Sequence, residues 1–336
     1  MKVSAPGKLI LSGEHAVVYG NPALAMAINR YATATITREM LPRILFELAD
    51  IAHNSHLSFD ALRDIKNRIK RKYYRFMRGE YTIRQVLHKP FELAQFALGL
   101  FAESLNISLP HGVKIHVKSD IPMGCGMGSS AATILSVMHA VSTYLQVQIS
   151  PETLYQLALE AENMQHGHSS GFDLRVAQLG GCIYMHNKQI ESRTAPLMPM
   201  YLINTGTPTT TTGQCVEKVA SHFKSNQLND DFAAVTNAMD AGLQQANWSA
   251  VQAAIRDNQR LLTHIGVVPA KAQQFISQVE AIGGVAKVCG AGAVAGDNAG
   301  AVLAVTDDKL ALTNLCHLFG YSLTSIACEP RGVYAV

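Results

Sequence analysis

The segment between residues 113 and 145 places a strand, a glycine-rich loop and a helix directly after one another. Residues 113–120 alternate apolar and polar side chains, residues 122–132 read PMGCGMGSSAA, and helix-forming residues continue to about 145. Backbone N–H groups at the start of a helix have no partner within the helix, and the helix dipole adds positive charge there. Glycines let such a loop bring these groups around an anion. The order of elements therefore predicts a phosphate-binding loop, with a glycine-rich turn before a buried helix as the alternative.

Neither of the two common phosphate loops matches this segment. No lysine precedes Ser129 and Ser130, as a Walker loop requires, and the acidic strand end of a dinucleotide-binding loop is missing. We therefore expect glycines and serines to hold the phosphates, and a lysine from another part of the chain to approach them.

The charge of the chain is distributed unevenly. The net charge is +3, yet residues 63–78 carry eight Lys and Arg and one acid, with Tyr73, Tyr74 and Phe76 among them. Basic residues interleaved with aromatic ones can bind nucleic acid. A short, isolated basic block is more typical of a long helix whose aromatic side chains face inward and whose cations face water. We therefore expect no nucleic-acid partner.

Length and composition indicate a two-domain protein of the cytoplasm. The 336 residues, 48% of them hydrophobic, allow two domains of roughly 150 residues each. The six cysteines form no CxxC pair, which favours reduced thiols. The start of the chain has no apolar leader, and the uncharged residues 121–151 include the glycine loop and several Ser and Thr. We therefore expect a buried helix there rather than a membrane span.

The pattern of apolar residues predicts a mixture of strands and helices. Ser150, Pro151 and Glu152 form an expected helix start, with a cap, a proline and a first-turn acid. The predicted helices cover residues 129–145, 151–165 and most of 42–105 and 213–282. The predicted strands lie in residues 1–37, 113–120, 180–185, 200–205, 285–289 and 301–305. A domain boundary is expected near residues 185–200.

Residues 5–20 place Lys8, Glu14 and His15 in a segment that is otherwise small and apolar. Charged side chains are rarely buried without a partner, so this placement predicts an ion pair or a ligand. An edge strand with an exposed lysine is the alternative.

A second group of polar side chains begins with Glu162 and His166, which are four residues apart and share one face of a helix. Asp173 follows after a Ser-Gly turn. Glu162, His166 and His168 resemble a zinc site only weakly. A hard cation such as Mg²⁺, held by Glu162, the hydroxyl of Ser130 and nucleotide phosphates, matches these ligands better.

A second loop of small residues, GAGAVAGD at residues 290–297, follows the predicted strand 285–289. It is either another ligand loop or a close-packed turn between two buried strands.

Together these segments resemble the GHMP kinase family, which includes galactokinases, homoserine kinases, mevalonate kinases and phosphomevalonate kinases. Residues 5–8 with 13–18 are similar to its first motif, residues 122–132 to its phosphate loop, and residues 166–173 to its His-Gly-x-Pro-Ser-Gly-x-Asp signature. The motifs stand in the order typical of the family, over essentially the whole chain. They are most similar to those of the mevalonate kinase branch.

The chain also departs from the family pattern. Ser169 stands in the place of the usual proline, and Met127 in that of the usual leucine. Residues 293–295 interrupt a third motif that is normally richer in glycine. These departures concern the third loop and the choice of substrate more than the phosphoryl chemistry.

The resemblance implies an α/β (α+β) fold in two domains. Residues 1–190 would form the ATP-binding domain, a mixed sheet with helices similar to domain 2 of ribosomal protein S5. Residues 191–336 would form a ferredoxin-like domain, and ATP and an alcohol would meet in the cleft between the two. Many members of the family are dimers, so the resemblance also allows a homodimer.

The resemblance further implies that ATP and Mg²⁺ are the cofactors, and that the C5 hydroxyl of mevalonate is phosphorylated in the mevalonate pathway to isoprenoid precursors. Ser130 and Glu162 would hold Mg²⁺. The residues implied for the nucleotide phosphates are Gly124, Gly126, Gly128, Ser129, Ser130 and Ala131.

Asp173 would accept the proton of the substrate hydroxyl, and Lys8 would lie against Asp173 and the γ-phosphate. A neighbouring ammonium group favours the carboxylate form of an acid and offsets charge on the transferring group. Glu14, His15 and Thr211 would orient the substrate.

Two other functions remain open at this point. The chain could phosphorylate another small alcohol, such as phosphomevalonate or a different hydroxy acid. It could instead be a catalytically silent member of the family that binds a nucleotide or metabolite. The presence of Lys8, Ser130, Glu162 and Asp173 favours an enzyme, because a binding protein has no need of a base.

Overall fold

The computed structural model describes residues 1–107, 111–187, 189–224 and 226–336. Residue 225, which lies in a segment predicted to be helical, is outside this part of the chain. The strands are β1 (Lys2–Ser12), β2 (Ala23–Glu39), β3 (Ile44–Leu48), β4 (His53–Leu57), β5 (Gly112–Ser119), β6 (Cys182–His186), β7 (Gln189–Arg193), β8 (Met200–Asn204), β9 (Val285–Cys289), β10 (Ala301–Val305), β11 (Ser322–Ile326) and β12 (Tyr334–Ala335). The helices are α1 (Phe59–Met77), α2 (Glu92–Ser104), α3 (Ser129–Tyr144), α4 (Pro151–His166), α5 (Phe172–Leu179), α6 (Thr212–Val219), α7 (Asn226–Gln244), α8 (Trp248–His264), α9 (Ala270–Ala281) and α10 (Lys309–Phe319).

The first sheet is mixed, as the resemblance implied. Its main path runs β12-β1-β2-β5-β3-β4, and β6 joins β2 to β7. Strands β3 and β5 are parallel, and the other pairs are antiparallel. Helix α3 packs against β1 and β2 and against helices α2 and α4, so its first turn is held in place by a continuous apolar core.

The prediction that residues 42–105 are mostly helical is wrong for residues 44–57. This stretch forms the hairpin of β3 and β4. Ile44, Phe46 and Leu48 are buried, while Leu45 and Glu47 between them are half-buried. A period of two over only five residues is a short signal, and the helical patterns that follow it outweighed it.

The second sheet is antiparallel and has the strand order β11-β8-β10-β9. Helices α6 to α9 connect β8 to β9, and α10 connects β10 to β11. Numbered along this part of the chain, the strand order is four, one, three, two, with a helical connection before the second and the fourth strand. That is the ferredoxin-like arrangement, so this prediction is confirmed.

The two sheets do not divide the chain cleanly at residue 190. Strands β7 and β12 follow or span that position, yet they pair with β6 and β1 of the first sheet. The C-terminal part therefore contributes an edge to the sheet that carries Lys8. The division into 1–190 and 191–336 stays a prediction.

Helix α1 carries the basic block, and it begins at a Ser58 cap that accepts a hydrogen bond from Ala61. Its cations pair with acids of neighbouring helices, including Lys66 with Glu103 and Arg68 with Glu92. The expectation that all of its aromatic side chains face inward is wrong for Tyr74, which is 64% exposed. No helix in the described ranges is long and apolar enough to cross a membrane.

Candidate active site

The glycine-rich loop brings the chain into helix α3 through three residues in the left-handed region. Gly124, Gly126 and Gly128 have φ values of 72°, 75° and 70°, which residues with a Cβ rarely adopt. Gly128 is the N-cap of α3, and its carbonyl accepts the N–H of Ala132. The N–H groups of residues 129–131 therefore lie in the first turn, where an α-helix offers them no acceptor. This geometry suits an anion.

Lys8 approaches the loop from strand β1. Its backbone N–H donates to the carbonyl of Met127 over 3.0 Å. A Cβ atom on Gly128 would lie 2.9 Å from Cγ of Lys8, so only glycine leaves room for this side chain. The lysine that the sequence required from another part of the chain is therefore next to the loop.

Lys8 and Asp173 form an ion pair, with Nζ 3.0 Å from Oδ1. The Lys8 side chain is 4% exposed and that of Asp173 is 32% exposed. Asp173 lies in the first turn of α5, whose N-cap is Gly171. Sequence reasoning did not predict this helix, although it singled out Asp173. The pair joins a buried cation to a carboxylate that a substrate can reach.

Glu162 on α4 is buried and faces the start of α3. The Ser130 hydroxyl donates to Glu162 Oε1 over 2.9 Å, and His166 Nε2 is 3.4 Å from the same oxygen. Burial raises the pKa of Glu162 to about 8, and the negative charge of Asp173 adds to the rise. The other oxygen, Oε2, is buried without a hydrogen-bond partner. A carboxylate in this state is stabilised by a cation, because the cation replaces the solvation lost on burial.

The oxygen atoms of Ser130 and Glu162 fit a hard divalent cation better than zinc. They supply a hydroxyl and a carboxylate, as Mg²⁺ prefers, and leave positions for phosphate oxygens and water. Across the described residues, no group of three or more His, Cys, Asp and Glu side chains is arranged to hold a metal. Among the described residues, His166 and His168 therefore have no third ligand with which to form a zinc site.

Glu14 and His15 lie in the interior, in the turn after β1. Glu14 pairs with Lys287 of β9, and His15 Nε2 is 3.0 Å from the carbonyl oxygen of Ala291. Burial raises the pKa of Glu14, and the positive charge of Lys287 opposes the rise. Burial lowers the pKa of His15 to about 4. Glu14 therefore connects the first motif to strand β9 and His15 connects it to the third loop. The contact of both side chains with substrate stays a prediction.

Sequence reasoning missed Lys287. The available signal was the one that drew attention to Lys8, a single charge in an apolar strand, here VAKVC. Its partner Glu14 is far away in sequence, so no local pattern could pair them.

Thr211 caps helix α6. Its hydroxyl accepts the N–H of Gln214 over 3.3 Å and lies 3.1 Å from Oε1 of the same residue. The Thr211 side chain is thus engaged within its own helix start, and its role toward a substrate stays a prediction.

The Thr-rich loop beside Thr211 supports the third glycine loop. Thr209 donates to the carbonyl of Ala295 over 3.0 Å, and the hydroxyl of Thr210 accepts the N–H of Val294 over 3.3 Å. The residues that interrupt the family's third motif are therefore held in place by side chains from a neighbouring loop.

The third loop also touches the phosphate loop. A Cβ atom on Gly126 would lie 3.2 Å from Cα of Gly290, and a Cβ atom on Gly290 would lie 3.1 Å from Cα of Gly126. The third loop is therefore a close-packed turn that packs against the candidate anion site. A ligand role for this loop stays a prediction.

The C-terminal end of α1 covers the loop before Asp173. The Tyr73 hydroxyl donates to the carbonyl of Gly167 over 2.7 Å. A Cβ atom on Gly167 would lie 2.8 Å from Cζ of Phe76. Two of the aromatic residues in the basic block therefore pack against the loop that leads to Asp173.

Comparisons with known proteins find similarity in sequence and in fold. A model of the GHMP kinases N terminal domain matches residues 92–181. Mevalonate kinase of Archaeoglobus fulgidus is 29% identical over 301 residues, which cover 87% of this chain and 89% of that protein.

Two solved structures share the fold throughout. The mevalonate kinase of Methanococcus jannaschii has a TM-score of 0.83 at 22% identity and covers 98% of both chains. The L. major mevalonate kinase in complex with R-mevalonate has a TM-score of 0.74 at 18% identity, covering 99% of this chain and 97% of that one. The phosphate loop, the ordered motifs and the fold thus agree with the family model, and the chain is similar to GHMP kinases, whose N terminal domain matches residues 92–181.

Proposed function

We propose that the protein transfers the γ-phosphoryl group of ATP to the C5 hydroxyl of mevalonate, giving 5-phosphomevalonate and ADP. The observation that carries this proposal is the Lys8–Asp173 pair at 3.0 Å, next to a glycine loop that opens helix α3. The choice of mevalonate is supported by the relatives of that name, which match most of the chain.

The phosphates of ATP would lie at the first turn of α3. Backbone N–H groups from Gly124 to Ala131 would donate to phosphate oxygens, and the dipole of a 16-residue helix would favour their charge. Phosphoryl transfer depends mainly on positioning and on neutralising charge. The loop would position the phosphates and neutralise part of their charge without forming a covalent bond to them.

Mg²⁺ would be held by Ser130 and Glu162. The unpartnered Oε2 of Glu162 and the adjacent hydroxyl are suitable oxygen ligands. When bound, the ion would offset negative charge on the phosphates. Glu162 would also orient the Ser130 hydroxyl, which donates to it from the first turn of α3.

Asp173 would act as the base. Its partly exposed carboxylate would accept the proton of the substrate hydroxyl. At the same time the oxygen of that hydroxyl would bond to the γ-phosphorus, and the bond from this phosphorus to the leaving ADP would break. The ammonium of Lys8 would hold Asp173 in place and stabilise charge on the transferring group. Glu14, His15 and Thr211 are proposed to orient the substrate.

We further propose that residues 1–190 and 191–336 act as the two domains around this cleft, and that the protein works in the cytoplasm as a homodimer. All six cysteines are free thiols, as a reducing compartment would keep them.

The test is ADP release by the purified protein with Mg²⁺ and ATP, with and without mevalonate. Galactose, homoserine and phosphomevalonate serve as competing acceptors, and Asp173→Asn is the control for contaminating kinases. We expect mevalonate to be preferred over each competitor. Turnover of another acceptor at least about tenfold faster, or no acceptor-dependent release at all, would overturn the proposal.

A further inference from the structure

Four charged side chains alternate in sign from the second sheet to the candidate catalytic pair. Lys287 pairs with Glu14, and Lys8 pairs with Asp173. The Lys287 and Glu14 side chains are 0% and 1% exposed. Lys287 Nζ also donates to the carbonyl of Ile10 over 3.3 Å. The first pair is therefore sealed from water and joins β9 to the segment around the end of β1.

The carboxylate of Glu14 interacts with both lysines. Burial raises its pKa, while the positive charge of Lys287 and, more weakly, that of Lys8 oppose the rise. One oxygen of Glu14, Oε2, has no hydrogen-bond partner. Glu14 is thus a buried carboxyl group whose main charged partner is Lys287.

Removal of Lys287 would leave this group without its main partner. An unpaired buried charge is strongly unfavourable, so the interior must neutralise it. Two routes are available, the uptake of a proton by Glu14 or the capture of a second cation. That cation is Lys8 of β1, the other lysine whose positive charge acts on Glu14, and its long flexible side chain now reaches Asp173.

We propose that Lys287 is a positioning residue of the phosphoryl-transfer site, which satisfies Glu14 in the interior and thereby leaves Lys8 available to Asp173. Lys287 touches neither substrate nor phosphate in this assignment and acts through Glu14. The inference rests on the proposed function only in that Lys8 and Asp173 are taken as the catalytic pair.

A double-mutant cycle in the full chain tests this assignment. Wild type, Lys287→Met, Glu14→Gln and the double variant are compared by kcat and by KM for ATP and for the alcohol. We expect Lys287→Met to lower kcat about tenfold or more with little change in KM for ATP. The single variant Glu14→Gln measures any role of Glu14 toward the substrate. Because it also removes the carboxylate that would capture Lys8, the double variant should stay within about twofold of the kcat of Glu14→Gln.

Lys66→Met is the matched control. Lys66 is also buried and also pairs with a glutamate, Glu103, but on helices α1 and α2 away from the site. This variant shows how much kcat falls when a buried lysine is lost and only the stability of the fold is affected. Melting temperatures of all variants are measured in parallel. The proposal is wrong if Lys287→Met lowers kcat no more than Lys66→Met, or if the double variant is about tenfold or more slower than Glu14→Gln.

If Lys287→Met does not accumulate as folded protein, Glu14→Gln and the double variant carry the test. Once the carboxylate is gone, the proposal requires that the further loss of Lys287 change kcat by less than about twofold. A further loss of about tenfold would show that Lys287 acts on the reactants directly and would overturn the proposal.

The cycle is run with whichever small alcohol the wild type phosphorylates. Failure with mevalonate alone therefore defeats the proposed function and leaves the test of Lys287 intact. A wild type that phosphorylates no alcohol overturns both.

Discussion

The backbone of Gly128 and the side chain of Lys8 are in direct contact, so that a Cβ atom at residue 128 would lie 2.9 Å from Cγ of Lys8. The phosphate loop and the candidate catalytic lysine therefore share one boundary. A larger residue in the loop at position 128 would therefore displace the Lys8 side chain even when no nucleotide is bound.

Gly128→Ala should lower kcat by about tenfold or more, because the new methyl group displaces Lys8 from Asp173. The cost of a φ of 70° for alanine is about 1 kcal/mol of stability or somewhat more. Gly320→Ala is the matched control, since Gly320 has a φ of 72° and nothing within 4 Å of an added Cβ. Both variants should melt at similar temperatures, and only Gly128→Ala should lose turnover. Equal kcat values for Gly128→Ala and Gly320→Ala would show that the contact between Gly128 and Lys8 does not affect turnover.

Asp173→Asn should reduce kcat by roughly two or more orders of magnitude, because the amide keeps the shape but cannot take the proton. The Kd for ATP, measured by titration calorimetry, should change little, since the phosphates are assigned to the glycine loop. Asp60→Asn is the control, because Asp60 is also a first-turn acid in an ion pair, with Arg63 on the exposed face of α1. Near wild-type turnover of Asp173→Asn would rule out Asp173 as the base.

Glu162→Gln should raise the Mg²⁺ concentration needed for the half-maximal rate. The amide has no charge to balance the ion, and one oxygen ligand is weakened. Glu160→Gln, two residues earlier on α4, removes a surface carboxylate that pairs with Lys70. Titration of the rate with Mg²⁺ should separate the two variants, and identical curves would exclude Glu162 as a ligand.

His15 should make the folded protein sensitive to acid between about pH 6.5 and 4. Burial lowers the pKa of His15 to about 4 from an ordinary value of 6.5. In that window the unfolded chain binds a proton that the folded chain excludes, so stability is lost as the pH falls. At about 1.4 kcal/mol for each pH unit, the loss is on the order of 3 kcal/mol.

His15→Asn isolates this contribution, because asparagine tolerates the φ of 61° at this position. Urea unfolding at a series of pH values should show a shallower fall in the free energy of unfolding for the variant. His56→Asn, at an exposed position of β4, should follow the wild type. Parallel curves for His15→Asn and wild type would contradict the prediction.

The residues that local patterns could identify are those that stand within a motif. Ser130, Glu162 and Asp173 were named from spacing and residue type, and the structure brings Ser130 against Glu162 and Asp173 against Lys8. The Mg²⁺ ligands Ser130 and Glu162 are predicted from residue type and spacing, whereas the role of Asp173 as base comes from the resemblance to the family.

What the sequence could not reveal depends on distant contacts or on short elements. Lys287 meets Glu14 only after the second sheet has formed, and the two residues of β12 offer no period to detect. The hairpin of β3 and β4 was mistaken for helix because its alternation spans five residues per strand. Helix α5 was missed since its first turn coincides with the motif that carries Asp173.

The contact between Gly126 and Gly290 has an evolutionary consequence. Each position is occupied by the smallest residue, and each faces the backbone of the other. A larger residue at one position therefore has no compensating substitution at the other, because glycine cannot become smaller. Only a separation of the two loops could accommodate it, and that would open the cradle for the phosphates. The two loops, which are distant in sequence, are thus expected to evolve together at this point, because neither glycine can be replaced alone.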